Sequence, residues 1–223
     1  MVVGWAFNAA GQQRAFRWTA SGGMQDLGTL GGDESEAFGV SADGSVVVGA
    51  ARNSAGQQRA FRWENSVMQD LGTLGLDYSV AWDVSADGSV VVGAAYDSNR
   101  QGRAFRWTQS GGMQDLNITY GCLLTDGSVL WAALDISPDG RYIVGLGVNA
   151  TTGRLEAYLL DTRCTPHNGD VNCDRCVDDA DLLEVLFAFG NTGSDLGRID
   201  VNCDGLVNDA DLLIVLLNFG GGC

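Results

Sequence analysis

The pentapeptide RAFRW at residues 14–18 decides the fold, because it returns along the chain with a constant set of neighbouring strings. Its later copies, the last degenerate as EAYLL, begin at Arg59, Arg103 and Glu156. A string VVG or IVG precedes each copy and ends at Gly4, Gly49, Gly93 and Gly145. The intervals are 45, 44 and 52 residues, so residues 2 to about 160 are successive copies of one repeat.

Each copy of the repeat predicts four short strands. The first contains the V-S of AFGVS, the second is SVVVGAA, the third is RAFRWT and the fourth is GMQDLG. An Asp-Gly pair, typical of a hairpin turn, separates the first two strands at Asp43-Gly44, Asp87-Gly88 and Asp139-Gly140. Four strands in about 45 residues is the period of a propeller blade. The sequence therefore predicts a mainly β fold, a propeller-like array of about 14 strands or three and a half blades.

Two features of the repeat have competing interpretations. An arginine is followed eight or nine residues later by an aspartate, in the pairs Arg17 and Asp26, Arg62 and Asp70, and Arg106 and Asp115. Adjacent antiparallel strands would bring each pair together, so we predict a cross-strand ion pair in preference to a binding role. The recurring tryptophans could stack on a sugar, but core packing is favoured because residues present in every repeat usually define it.

The wording of these strings resembles the extracellular HAF repeat family. That family's motif runs close to RAFRW, GMxDLGTLGG and VSADGxVVVG, and this chain has GMQDLGTLGG from Gly23 and VSADGS from Val40. The resemblance covers residues 2 to about 160. It implies an extracellular location and a propeller-like β array, and it implies no defined chemistry.

The amino-acid composition limits the classes of partner that the chain is expected to bind. The net charge is −15, and all 13 basic residues are arginine, so nucleic acid and anionic membranes are excluded as favoured partners while divalent cations are favoured. No apolar run approaches the ~20 residues of a membrane span. Five of six cysteines lie in the last 60 residues, which indicates an oxidising compartment.

Because VVG at the start already belongs to a repeat, we expect a signal peptide and earlier repeats to precede Met1 in the natural protein.

A second duplication with a period of 30 residues occupies the end of the chain. DVNCDRCVDDADLLEVLFAFG starts at Asp170, and DVNCDGLVNDADLLIVLLNFG starts at Asp200. The segment before it is polar and contains Pro166. We therefore predict a repeat domain over residues 1–161, a linker over 162–169, and a small all-α calcium-binding domain of two loop-helix units over 170–223.

Each copy of this duplication places oxygen donors at loop positions 1, 3, 5, 9 and 12. The first loop offers Asp170, Asn172, Asp174, Asp178 and Asp181, and the second offers Asp200, Asn202, Asp204, Asn208 and Asp211. Position 7 adds a backbone carbonyl, from Cys176 or Leu206. Ca²⁺ takes six to eight oxygen ligands, so the pattern predicts two calcium ions.

The two loops are not expected to bind equally. Position 6 requires a sharp turn, which Gly205 allows and Arg175 disfavours. Each loop leads into an apolar helix of about nine residues, with Asp178 or Asn208 as the cap and Asp181 or Asp211 as its capping-box partner.

The loop-helix duplication resembles the type I dockerin family, which docks onto cohesin domains. The resemblance implies calcium at the positions above and a cohesin-like partner. It also implies partner-reading residues at loop positions 10 and 11, which are Asp179, Ala180, Asp209 and Ala210. They differ from the Ser-Thr pair of clostridial dockerins, so a clostridial type of cohesin is not implied. Because such modules bring their two ends together, the resemblance also implies a disulfide between Cys164 and Cys223.

The pair Cys173 and Cys176 forms a C-x-x-C, which is also typical of zinc or redox sites. Both residues lie inside the predicted calcium loop, and no second ligand pair stands at zinc spacing, so calcium is favoured. His167 is the one histidine, and its place in the linker favours an exposed residue without a role.

These observations favour a secreted, non-catalytic protein whose β array is docked through a calcium-dependent dockerin, linked to polysaccharide degradation or cell-surface assembly. The alternative is a fragment of a secreted polysaccharide-active enzyme, a glycoside hydrolase that carries a dockerin. A glycosidase needs two carboxyl groups across a cleft, and the acidic residues outside the repeated positions form no such motif. Carbohydrate stays a second possible ligand of the array.

Overall fold

The computed structural model of the chain describes residues 1–124, 127–162, 168–172, 174, 176–193 and 196–223, with the backbone alone at residue 122. The chain divides into a repeat domain, Met1–Thr162, and a C-terminal domain, Arg163–Cys223. This division falls at the start of the predicted linker. The predictions on Cys164, His167, Cys173 and Arg175 lie outside the described residues.

The repeat domain contains fourteen strands among its described residues, grouped here as repeats 1 to 4. Repeat 1 consists of β1 (Val2–Phe7), β2 (Gln13–Thr19) and β3 (Gly23–Asp26). Repeat 2 consists of β4 (Gly31–Val40), β5 (Val47–Asn53), β6 (Gln58–Glu64) and β7 (Val67–Asp70). Repeat 3 consists of β8 (Gly75–Val84), β9 (Val90–Asp97), β10 (Gly102–Thr108) and β11 (Gly112–Asp115). Repeat 4 consists of β12 (Val129–Ile136), β13 (Tyr142–Asn149) and β14 (Arg154–Asp161).

Strands within each repeat pair in chain order and antiparallel. β4, β5, β6 and β7 follow one another in repeat 2, as do β8 to β11 in repeat 3. One parallel bridge, Gln58 to Tyr78, joins repeats 2 and 3 into a single sheet, while repeats 1 and 4 form separate three-stranded sheets. The prediction of a mainly β chain is confirmed.

Helices are few. The repeat domain has α1 (Leu116–Thr119) and a 3-10 turn (Gly121–Leu123), both between repeats 3 and 4. They lie within the last interval of the repeat, which at 52 residues is longer than the other two. The C-terminal domain has α2 (Asp179–Phe187), a 3-10 turn (Gly197–Ile199) and α3 (Asp209–Leu217).

The hairpin turns predicted at Asp-Gly are present between the first two strands of repeats 2, 3 and 4. The glycine has a positive φ, 75° at Gly44, which a side chain would strain. The backbone N–H of Ser45 and the hydroxyl groups of Ser41 and Ser45 donate to the carboxylate of Asp43, and they lower its pKa to about 2. The aspartate therefore recurs because it closes the turn.

Among the described residues, the core of the repeat domain consists of three apolar clusters, each drawn from two consecutive repeats. We define the leading face of a repeat as the one packed on the preceding repeat, and the trailing face as the one packed on the next. In repeat 2 the leading face carries Val47, Phe61 and Trp63, which pack with residues of repeat 1. Its trailing face carries Val48 and Ala60, which pack with residues of repeat 3. Burial on both faces explains why the strands carry apolar residues at consecutive positions.

Two buried serines that the sequence analysis missed also join consecutive repeats. The hydroxyl of Ser35 accepts a hydrogen bond from the N–H of Ala15 at 2.9 Å and donates to the carbonyl of Gly28 at 2.6 Å. Ser79 repeats both contacts, 44 residues later, with Ala60 and Gly72. That regular spacing is the signal by which they could have been found.

The predicted ion pairs between the second arginine of RAFRW and the following aspartate are wrong. Arg17 lies opposite Gln25 in the register, and Asp26 lies opposite Phe16, so the two side chains point to opposite faces. The same offset holds in repeats 2 and 3. Asp26 instead accepts from the N–H of Gly28 at 2.8 Å and shapes the turn after β3. Arg17 lies over the ring of Trp63, 4.5 Å from its centroid, and so contacts the next repeat.

The tryptophans of RAFRW are core residues in repeats 2 and 3, where Trp63 and Trp107 are 3% and 4% exposed. This confirms the favoured interpretation at these two positions. Trp18 of repeat 1 differs, since it is 41% exposed.

Candidate metal centre in the C-terminal domain

Two nearly identical loop-helix units form the C-terminal domain. Helices α2 and α3 have nine residues each, and each starts with a capping box formed by Asp178 with Asp181 or by Asn208 with Asp211. The predicted caps are confirmed. Their cause is local, because an aspartate or asparagine at the N-cap and an acid three residues later satisfy the free N–H groups of the first turn.

Valines from both units build the core of this domain. Val177 and Val185 of the first unit and Val207 and Val215 of the second are at most 1% exposed. The backbone adds a reciprocal exchange. Val177 pairs with the segment after α3, donating to Gly221 and accepting from Gly220, and Val207 pairs in the same way with the segment after α2. Each loop is therefore held by the chain that follows the other helix.

The carboxylate at loop position 12 organises each loop from within. Asp211 is fully buried, and one of its oxygens accepts from the N–H groups of Val201 at 2.7 Å and Asn202 at 3.1 Å. Its other oxygen accepts from the N–H of Asn208 at 2.9 Å. Asp181 makes the equivalent three bonds in the first loop. These bonds join the start and end of each loop.

The other predicted calcium ligands of the second loop accept hydrogen bonds from the backbone of that loop. The carboxylate of Asp200 accepts from the N–H groups of Asp204 at 3.1 Å and Gly205 at 2.9 Å. The side chain of Asn202 also accepts from Asp204, and Asp204 accepts from Leu206. Gly205 has φ 85°, the left-handed conformation expected at position 6. The loop thus curls around its side-chain oxygens.

The first loop shares this curl and has an additional cation beside it. Asp174 accepts from the N–H of Cys176 at 2.8 Å, as Asp204 does from Leu206. The guanidinium of Arg198 donates to the carbonyl of Asp170. Burial lowers the pKa of Arg198, and the nearby charges of Asp170 and Asp181 oppose that shift. Since the duplication has a period of 30 residues, the counterpart of Arg198 in the first unit is Asn168, which is neutral.

The oxygen ligands that the two loops offer are chemically suited to a hard cation. Both loops offer carboxylate and amide oxygens together with a carbonyl at position 7, the ligands that Ca²⁺ prefers. Among the described residues, however, no three His, Cys, Asp or Glu side chains are grouped closely enough to hold a metal ion. In the second loop, two of the five predicted side-chain ligands are asparagines, and the carboxylates of Asp200 and Asp204 accept hydrogen bonds from backbone N–H groups. Calcium binding therefore stays a prediction.

The predicted partner-reading residues are exposed at the start of each helix. They are Asp179, Ala180, Asp209 and Ala210. Exposed apolar side chains continue from them at helical spacing, with Leu183 and Phe187 below Ala180. Leu213 and Leu217 continue in the same way below Ala210. Phe187 is 87% exposed and Leu217 is 75% exposed. Each helix thus presents an exposed apolar stripe, which we call the helix stripe.

The predicted disulfide between Cys164 and Cys223 is wrong, because Cys223 is bonded to Cys176. The pairing of Val177 with Gly220 and Gly221 brings the end of the chain beside the first loop, and the Cα atoms of the two cysteines are 4.6 Å apart. Cys203 is also in a disulfide. Since the sulfur of Cys176 is engaged in this bond, it is not a zinc ligand here.

One carboxyl pair in the repeat domain escaped the sequence analysis. Asp83 of β8 and Asp135 of β12 share a hydrogen bond, and Asp83 also accepts from the N–H of Ile136 at 3.1 Å. Burial raises the pKa of Asp83, and the contact with Asp135 adds to the rise. Glycosidases keep their two carboxyl groups at least ~5 Å apart to admit the sugar. A directly hydrogen-bonded pair leaves no such space, so it does not favour that chemistry.

Comparison with known proteins identifies no family for this chain. No family model matches the sequence, and no curated protein matches it. Among solved structures, a putative TolB from Agrobacterium tumefaciens is similar with 14% identity and a TM-score of 0.49, over 71% of this chain and 56% of that one. TolB from Acinetobacter baumannii is similar with 17% identity and a TM-score of 0.46, over 70% and 39%.

The chain thus spans about half the length of the first of these proteins and less of the second. At this level of similarity, neither indicates a function for it. Among the described residues, no helix is both long and apolar enough to cross a membrane.

Proposed function

We propose that the chain is a secreted, non-catalytic protein in which a calcium-dependent C-terminal domain docks a propeller-like β array onto a cohesin-like protein domain. The observation that carries this proposal is the helix stripe, which begins next to each predicted calcium loop. An apolar stripe of Ala180, Leu183 and Phe187 is typical of a helix that contacts a partner, since the core side of the same helix is already filled by Val185.

Calcium binding would couple the conformation of each loop to the position of the stripe that follows it. The ion would be held by the side-chain oxygens at positions 1, 3, 5, 9 and 12, and it would neutralise carboxylates that otherwise repel one another. Residues at positions 9 and 12 are also the N-cap and the capping-box partner of the helix. Whatever stiffens the loop therefore stiffens the first turn of the helix, where Ala180 and Ala210 lie.

Two further observations agree with a protein that is secreted and non-catalytic. The disulfide between Cys176 and Cys223 is the kind of bond that persists in oxidising compartments. A small cleft of about 50 Å³ lies between Glu34, Arg52 and Gln58 in the repeat domain. This is well below the several hundred Å³ of ordinary small-molecule sites. These features are more typical of an array that displays or scaffolds other molecules than of an enzyme.

The two stripes suggest that either helix can face the partner. We expect the full chain to bind a cohesin domain in calcium and to release it in chelator. Ala180→Arg or Ala210→Arg alone should leave binding, and the double variant should abolish it, because an arginine then stands on each stripe. The measurement is a pull-down against a panel of purified cohesin domains, with Ala55→Arg, an exposed loop position in the repeat domain, as the matched control.

Several results would contradict this proposal. They are the absence of binding to any cohesin domain, binding that survives chelator, and full binding by the double variant. If one single variant already loses binding, the docking role stands and the two-sided mode is wrong.

A further inference from the structure

The two outermost faces of the repeat domain expose apolar side chains, several of them at positions that are buried in other repeats. On the leading face of repeat 1, Val2 is 54%, Trp18 is 41% and Met24 is 61% exposed. The equivalent valine and tryptophan of repeat 2, Val47 and Trp63, are 0% and 3% exposed, because repeat 1 covers them. Repeat 1 therefore keeps the chemistry of a leading face without a covering repeat among the described residues.

The trailing face of repeat 4 also exposes apolar side chains. Val144 is 41%, Leu155 is 52% and Leu159 is 67% exposed. The residue equivalent to Val144 in repeats 2 and 3, Val48 or Val92, is fully buried against the next repeat. Repeat 4 thus presents the kind of surface that covers a leading face three times within this domain.

We propose that, in the chain of residues 1–223, where no further repeat of the same polypeptide covers the leading face of repeat 1, the trailing face of repeat 4 in one copy packs on that leading face in a second copy. The contact continues the series that already joins repeats 1 to 2, 2 to 3 and 3 to 4, since all three clusters combine a trailing face with a leading face. Both halves of the contact are present on one chain, at opposite ends of the repeat series. A second copy is therefore the partner whose surface is already matched to each end.

One position shows how the new contact would differ from the internal ones. Arg17 of repeat 1 lies over Trp63 of repeat 2. In repeat 4 the residue at the position of Arg17 is Leu159, from the degenerate string EAYLL. Between copies, Leu159 would meet Trp18, which replaces a cation-over-ring contact by an apolar one. The substitution removes a charge from the surface that would be buried.

This association is head-to-tail, so it joins two different surfaces and can close into a ring or extend. The test is sedimentation velocity of the full chain over a range of concentrations. Wild-type protein should associate reversibly. Trp18→Glu and Leu159→Glu, each blocking one surface, should both be monomeric at concentrations where the wild type associates. Ile118→Glu, at an 81% exposed position outside both faces, is the matched control and should associate like the wild type.

A mixture decides between head-to-tail and symmetric contacts. Each blocked variant retains the surface that the other lacks, so an equimolar mixture of Trp18→Glu and Leu159→Glu should form a one-to-one dimer. Circular dichroism of each variant verifies that it is folded. A wild type that stays monomeric at every concentration overturns the proposal. So does association that survives either variant, or a mixture of folded variants that stays monomeric.

Discussion

Replacing Asp211 by alanine is expected to unfold the C-terminal domain. The carboxylate is fully buried and accepts hydrogen bonds from three backbone N–H groups, those of Val201, Asn202 and Asn208. Alanine would leave these donors without their partner, and a buried unsatisfied donor costs about 1–3 kcal/mol. A single core of about 60 residues rarely supplies more than ~3–5 kcal/mol, so the sum is comparable with the whole stability of the domain.

Hydrogen exchange of the full chain, followed by mass spectrometry, measures this effect separately in each domain. In Asp211→Ala, peptides from residues 196–223 should lose protection, while peptides of the repeat domain should keep theirs. Asp209→Ala is the matched control, since Asp209 is exposed two residues away and should cost under ~1 kcal/mol through the helix dipole. Wild-type protection in Asp211→Ala would show that the buried carboxylate does not organise the loop.

Gly93→Ala is expected to disrupt the pairing of β8 with β9 in the repeat domain. A Cβ atom at Gly93 would overlap the carbonyl oxygen of Val80 and lie 2.6 Å from the ring of Phe105. Neither neighbour can move freely, because one belongs to the strand backbone and the other is fully buried. Overpacking a well-packed core typically costs about 1–3 kcal/mol, and a clash with backbone places this site at the upper end or beyond.

Denaturant unfolding followed by tryptophan fluorescence measures this cost, because all six tryptophans lie in the repeat domain. We expect Gly93→Ala to lower the free energy of unfolding by about 3 kcal/mol or more. Gly121→Ala is the matched control, since among the described residues beyond its two chain neighbours no atom lies within 4 Å of the Cβ it would add. Equal stability of the two variants would mean that β8 does not approach β9 as closely as described.

The strands and turns of the repeat domain could be predicted because their signals are local and repeated. The Asp-Gly turns and the order of strands within repeats 2 and 3 follow from strings that recur every 44 or 45 residues. The ion pairs could not be predicted, because they depend on register. A shift of one residue places Arg17 opposite Gln25 instead of Asp26 and turns the two side chains to opposite faces.

In the C-terminal domain, the same distinction separates what the sequence predicts from what it does not. The caps of α2 and α3 depend on residues three apart, and the spacing alone predicts them. The partner of Cys223 depends on a contact between residues 47 apart, which no spacing rule specifies. Asp83 and Asp135 hold the same position in repeats 3 and 4, where repeat 2 has Gly39, but the spacing alone does not show that the two side chains meet across the repeats.

The number of calcium ions bound per chain tests the central claim most directly. Equilibrium dialysis of the full chain, at ~1 mM free calcium as suits an extracellular module, should give two bound ions. The second loop should bind more tightly, because Arg198 places a positive charge beside Asp170 and Asp181 of the first. Asp200→Ala should therefore remove the tighter ion and Asp170→Ala the weaker one. Absence of bound calcium in the wild type, or loss of the tighter ion in Asp170→Ala, would contradict the account.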